Sequence, residues 1–234
     1  MQSERAYGLF DAILFDIDGT LVDSVTNIVD GIQETIFRFL GVFAPCERIR
    51  ASIGRPLREQ FDPFSPRPLS DAERAEMSAF ANDCFRRSNL RETKFPEAFE
   101  AFEACQRSGL KTGLVTSKSR TELLNFMARY STEIRPTVAV SASDVENPKP
   151  HPESVLLACE RLQISPARTA FIGDSVFDVR CARSAGAVSV AVCYGAGDRS
   201  ALQAEQPDFI LEHPLDALEW IKTISPQASC PARK

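Results

Sequence analysis

The chain has 234 residues, 44% of them apolar and 25% charged, with a formal net charge of -5. That length holds one large or two smaller domains, and that apolar share builds a sizeable core without staples. The acidic balance argues against nucleic acid or an acidic membrane as the main partner, so an anionic substrate needs a local positive site. No stretch of 18 apolar residues is present to span a membrane. Seven cysteines stand at 46, 84, 105, 159, 181, 193 and 230, with no CxxC pair and an odd total. They predict reduced, mostly buried thiols in a cytoplasmic protein, not a disulfide framework or zinc site. No basic segment followed by an apolar one precedes the first strand, so no secretory signal is expected.

Ala12-Ile13-Leu14-Phe15 is a continuous apolar run and predicts a short buried strand. It leads into Phe15-Asp16-Ile17-Asp18-Gly19-Thr20. Two carboxylates two residues apart on extended backbone project to the same side. Their charges repel unless a cation sits between them, and a hard, oxygen-liganded ion such as Mg2+ meets that need. Gly19 permits a sharp turn. The plainer reading of these six residues is a strand ending in a polar turn.

From 23 to 93 the pattern is helical and does not alternate. Ser24 stands at the cap of a helix carrying Ile28, Ile32, Ile36 and Phe39, which stops near Gly41. Asp71 to Leu90 predicts a longer helix with Met77, Phe80, Cys84 and Phe85 as its stripe, after a Pro-rich break at 61–68. About 70 residues are too many for one crossover, so this segment predicts a helical subdomain inserted between the first two strands of a sheet. The expected division is a core of 1–22 and 94–225, an insertion of 23–93, and a flexible tail of 226–234.

Beyond 94, strands and helices alternate. A helix opens at Pro96, carries Phe99, Phe102 and Cys105 on one face, and stops at Gly109. Strands are expected at Lys111–Val115, Thr137–Val140, Thr169–Ile172 and Val188–Val192, with an edge strand at Asp208–Leu211. Helices are expected over Ser154–Leu162 and Ser175–Ala185, the second stopped by Gly186. This predicts an α/β fold: a doubly wound, mainly parallel sheet with helices on both faces.

Such sheets bind ligands beyond the carboxyl ends of their strands. Four polar groups fall there: Asp16 and Asp18; Thr116-Ser117-Lys118; Lys149; and Gly173-Asp174-Ser175 with Asp178 one turn on. Each alone is a cap or a solvated charge, but together they form a set for phosphoryl transfer. Asp16 attacks phosphorus as nucleophile. Asp18 protonates the leaving oxygen and then activates water. Asp174 completes a Mg2+ site with Asp16, Asp18 and a main-chain carbonyl, supported by Ser175 and Asp178. Lys149 neutralises a phosphoryl oxygen and shields the acids, and the Thr116 hydroxyl donates to the same group. Ser117, Lys118 and Arg55 are further candidates for substrate binding. His151 and His213 fit no metal or triad pattern, and Gly195-Ala196-Gly197 reads as a loop, not a dinucleotide fingerprint.

This set, in this order, resembles the haloacid dehalogenase superfamily of phosphohydrolases. The resemblance spans the chain: DxDGT at Asp16 to Thr20, a Thr after the second strand, Lys149 followed by Pro150, and GDSxxD at Gly173 to Asp178. The helical insertion resembles the superfamily's C1 cap, a mobile lid, and the rest its Rossmann-like core. The resemblance implies an aspartyl-phosphate intermediate and dependence on Mg2+. Dehalogenases and phosphonatases lack the second acid, present here as Asp18, which favours hydrolysis of a phosphate ester or anhydride. Within the superfamily the chain looks most like phosphoglycolate phosphatases and PpaX-type pyrophosphatases, on Asp18 to Ser24, Ile53 to Leu57 and Val145 to Pro150. Thr116-Ser117-Lys118 departs from the Thr-Asn-Lys common in phosphoglycolate phosphatases and lies closer to the pyrophosphatase-like members.

The expected function is a Mg2+-dependent phosphatase acting on a small soluble phosphomonoester, phosphoglycolate-like, as a monomer or homodimer. Alternatives are an inorganic pyrophosphatase, a nucleotide or sugar phosphatase, and a phosphomutase, which shares Asp16 and Asp18. The non-enzymatic alternatives are a partner-binding relic of the fold and a phospho-receiver, which also uses clustered Asp, Thr, Lys and Mg2+ but lacks the second acid and the insertion.

Overall fold

The strand at the centre of the sheet is the apolar run that opens the chain's first motif. β1 (Ala12–Phe15) is buried along its whole length. It pairs in parallel with β4 (Lys111–Val115) on one side and β6 (Thr169–Gly173) on the other. β5 (Val138–Val140) extends the sheet beyond β4, while β7 (Val188–Val192) and β8 (Phe209–Leu211) extend it beyond β6. The order is β5-β4-β1-β6-β7-β8, with every pairing parallel. The computed structural model describes residues 10–88 and 92–224. The expected tail at 226–234 and the expected helix end at Leu90 lie outside the described residues.

A strand covered on both faces reads as an unbroken apolar run because both alternating sides are buried. Ile13 and Phe15 join a cluster with Phe102 of α4 (Pro96–Arg107) and Ile221 of α9 (Pro214–Ile224). Ala12 and Leu14 join the opposite cluster with Val155 of α6 (Glu153–Leu162) and Cys181 of α7 (Val176–Ala185). The Phe15 and Phe102 rings meet tilted by 51°, with 5.2 Å between centroids. The parallel register sets Phe15 beside both Leu114 and Ile172, so the residues that follow all three strands emerge at one sheet edge.

The segment between β1 and α4 contains α1 (Val25–Leu40), α2 (Cys46–Arg50) and α3 (Asp71–Ser88). Its ends are joined by a two-stranded antiparallel ribbon of β2 (Val22–Asp23) and β3 (Thr93–Lys94). Ile32, Ile36, Ile49, Phe61 and Met77 form a hydrophobic cluster of its own. Gly41 ends α1 in the left-handed conformation, φ 66°, where a glycine costs least. Ser24 stands before α1, but its hydroxyl caps nothing; it donates to Asp18 Oδ1 at 2.7 Å. Among the described helices, four match no individually expected helix: α2, α5 (Arg120–Arg129), α8 (Arg199–Ala204) and α9.

Candidate active site

Asp16, Thr116 and Asp174 follow the adjacent strands β1, β4 and β6. Main-chain ladders hold two of them in place: Asp16 N–H donates to Ile172 O at 2.9 Å, and Thr116 N–H to Val140 O at 3.0 Å. Asp16 is 3% exposed. Its Oδ2 lies 3.1 Å from Lys149 Nζ, and its Oδ1 is buried without a hydrogen-bond partner among the described residues. Lys149 is 1% exposed and lies 2.6 Å from Asp178 Oδ1. Asp178 also closes the capping box that starts α7, accepting from Ser175 N at 3.0 Å and Ser175 Oγ at 2.5 Å. Carboxylate oxygens of Asp16, Asp174 and Asp178 lie within 4.8 Å of one another.

Three buried carboxylates thus share one ammonium. Burial drives the pKa of Asp16 up to about 7, with Asp178 and Asp18 adding to it and Lys149 opposing. Burial also raises Asp174 well above the carboxylate range, helped by Asp178 and Asp16. For Lys149, burial favours the neutral amine, but Asp16 and Asp178 outweigh it and raise the pKa. An orphaned carboxylate oxygen among like charges fits a hard, oxygen-liganded cation, so the cluster can hold a metal ion.

The carboxylate of Asp18 does not join this cluster, although the spacing predicts that it shares a side with Asp16. β1 ends at Phe15, and the chain then turns: Leu21 N–H donates to Ile17 O and Gly19 N–H to Val22 O. Asp18 therefore stands off the strand, pairing with Lys118 Nζ at 2.7 Å and accepting from Ser24. Burial lowers the Lys118 pKa, but Asp18 and Glu122 outweigh it, so the ammonium is held charged. Ser117, expected at substrate, donates its hydroxyl to Gly54 O at 2.6 Å, tying the β4 edge to the helical segment. Thr116 is buried, and its hydroxyl accepts from Lys118 N–H.

Asp16 and Asp18 line a cavity of about 710 Å3 between the sheet edge and the helical segment. Arg55, Thr116, Ser117 and Lys118 line it too; Lys149, Asp174 and Asp178 do not. The Arg55 guanidinium lies over the Phe177 ring at 4.9 Å. Glu92, Asn27 and Asn125 also line the cavity, and no motif marks any of them. Glu92 pairs with Arg129 at 3.3 Å, and burial, then the Asp18 charge, raises its pKa.

The turn after β7 is the other feature that spacing does not reveal. Ala196 N–H donates to Asp174 Oδ2 at 2.5 Å, and Gly197 N–H to Asp174 O at 3.1 Å. A Cβ on Gly195 would lie 2.2 Å from Asp174 Oδ2 and 2.4 Å from Gly19 O, so only glycine permits this approach. Tyr194 adds a bond from its hydroxyl to Thr20 O at 3.1 Å. Gly195-Ala196-Gly197 is a loop, as expected, but one that clamps Asp174 against the first motif.

A family profile described as haloacid dehalogenase-like hydrolase matches residues 13–192. A pyrophosphatase PpaX of Bacillus pumilus is 29% identical over 208 residues, covering 89% of this chain and 94% of that protein. A phosphoglycolate phosphatase of Shigella boydii is 30% identical over 246 residues, covering 88% and 90%. A hydrolase structure from Pseudomonas syringae shares the fold at TM-score 0.82 and 24% identity, covering 92% of this chain and all of that one. No described helix is long and apolar enough to cross a membrane. The six-stranded parallel sheet, the helices on its faces and the ordered acids at its edge are those of the match: the chain belongs to the haloacid dehalogenase-like hydrolase family.

Proposed function

We propose that this chain is a phosphoric monoester hydrolase that needs Mg2+ and cleaves a small soluble phosphomonoester, phosphoglycolate-like, through an aspartyl-phosphate on Asp16. The observation that carries the reading is the Asp16 carboxylate: buried, facing the cavity, with one oxygen unpartnered. The phosphoryl group passes from the leaving oxygen to the Asp16 carboxylate, and Asp18 gives that leaving oxygen its proton. Asp18 then takes a proton from water as the water displaces Asp16 from phosphorus. Lys118 and Ser24 hold the Asp18 carboxyl at the cavity for both steps. Lys149 and Thr116 stand beside the Asp16 carboxylate and the strand edge, where they stabilise the transferring group. Asp16 and Asp174 would hold Mg2+, which supplies positive charge to the phosphoryl oxygens. Asp178 orients Lys149, and Ser175 orients Asp178.

Residues 23–93 serve in this reading as a cap over a core of 1–22 and 94–225. Its hydrophobic cluster, which Ala196 joins from the core, and the ribbon at its two ends support that division. Arg55 and Lys118 would meet the substrate from the cap and the core, respectively. The PpaX relative supports a second reading, inorganic pyrophosphatase, because the same machinery cleaves a phosphoanhydride. Phosphate release from phosphoglycolate, pyrophosphate, nucleoside monophosphates and sugar phosphates, each with Mg2+ and with EDTA, decides between them. Release that needs Mg2+ and is fastest with phosphoglycolate meets the proposal; release from no substrate contradicts it.

Two further outcomes are expected. Asp18→Asn lowers turnover by about 10²–10⁴-fold, yet leaves Mg2+ binding intact because its carboxylate lies outside the Asp16–Asp174–Asp178 cluster. Steady-state kinetics beside calorimetric Mg2+ titration check both halves. The second concerns pH. Asp16 is raised to about 7, so the folded chain keeps a proton there that the unfolded chain releases earlier. That contribution to stability is present at acid pH and is lost as pH rises toward 7. A cation replaces the lost proton, so Mg2+ should raise the melting temperature more at about pH 8 than at about pH 5.5. Equal shifts at the two values contradict the assignment.

A further inference from the structure

We infer that Arg50, in the helical segment, is a positioning residue for the Asp174 carboxylate and acts through the single peptide unit that joins Gly195 to Ala196. Arg50 closes α2, and its Nη2 donates to Gly195 O at 3.1 Å. The N–H of that same peptide, on Ala196, donates to Asp174 Oδ2 at 2.5 Å. In a trans peptide the carbonyl and the N–H point in opposite directions. One peptide therefore stands between a guanidinium and a carboxylate with both of its polar groups engaged. A cation on the carbonyl polarises the amide and strengthens the bond its N–H makes.

The loop has little freedom to make this link any other way. A Cβ on Gly195 would meet Asp174 Oδ2 and Gly19 O, and one on Gly197 would meet Asp174 O at 2.2 Å. Gly197 N–H holds the Asp174 carbonyl from the other side. The Ala196 side chain is 6% exposed and packs into the helical segment's cluster with Val25 and Ile53. Two contacts from the helical segment, one polar and one apolar, thus converge on the peptide that aims Asp174. Groups that orient a metal ligand from outside typically change metal affinity when lost.

The inference rests on the reading of Asp174 as a Mg2+ ligand. Its test is calorimetric titration of the full chain with Mg2+ alone, without substrate, for the wild type, Arg50→Met and Arg50→Lys. Arg50 is exposed, so neither variant empties a core position. Arg50→Met is expected to weaken Mg2+ binding about fivefold, less than loss of a direct outer-shell partner. Arg50→Lys, which keeps a cationic donor, is expected to restore most of the affinity. The metal-free melting temperature should change little in either. Mg2+ binding in Arg50→Met as tight as in the wild type overturns the inference, whatever the melting temperature does. Failure of the wild type itself to bind Mg2+ overturns the reading of Asp174 and this inference with it.

Discussion

Asp16→Asn is expected to abolish phosphate release, by at least about 10⁴-fold, while the metal-free protein melts no lower than the wild type at about pH 8. The two halves come from one geometry. Asp16 carries the only reacting oxygen of the proposal, so an amide there has no nucleophile to offer. The same carboxylate is buried, with one oxygen unpartnered, beside Asp174 and Asp178. Removing its charge relieves repulsion in a site where one ammonium serves three acids. The asparagine keeps an oxygen for Lys149, and its amide nitrogen takes the position near the other two carboxylates. Turnover assays and thermal melts on one preparation check both halves. Full activity refutes the nucleophile. Lost activity together with a large drop in melting temperature would show Asp16 to be structural.

Lys149→Met is expected to lose fold stability as well as turnover. Lys149 is almost fully buried and bonds Asp16 and Asp178 at 3.1 and 2.6 Å. Its loss leaves three buried carboxylates with no cation, and breaking a buried pair from one side costs about 3–5 kcal/mol. For a chain of this length that is a fall in melting temperature on the order of 10 °C. Acid pH should recover part of the loss by protonating the cluster, and Mg2+ should recover part by replacing the ammonium charge. A variant that melts within about 2 °C of the wild type shows that the cluster is not held together by Lys149.

These expectations draw on parts of the chain that differ in how openly the sequence displays them. β1 was legible because a strand buried on both faces is apolar at every position, and Ala12–Phe15 is. Gly41 and Gly186 mark their helix ends because left-handed backbone selects glycine. Asp16, Thr116, Lys149 and Asp174 were legible as a set because each follows a strand or sits in a loop at the same sheet edge. The partner of Asp18 was not, because the turn after Phe15 redirects its side chain toward Lys118 and Ser24. Two-residue strands such as β2 and β3 are too short to show any periodicity. α9 had a signal in Pro214 at its first position, but its partner, α4, is remote in the chain. The clamp on Asp174 joins residues 22 apart, and the bond from Arg50 to Gly195 spans 145. Close approach of that kind leaves only glycines in the sequence, and glycines also mark ordinary loops.

The proposed reaction transfers the phosphoryl group to Asp16. Its most direct test is to mix Asp18→Asn with substrate and Mg2+, quench in acid, and locate the phosphoryl group by mass spectrometry. Without Asp18 to activate water, the acyl-phosphate should persist long enough to be trapped. One added phosphoryl group is expected on the peptide that contains Asp16, and none when Asp16 is also changed to Asn. A phosphoryl group on any other residue, or product formed by the Asp16→Asn enzyme, would contradict it.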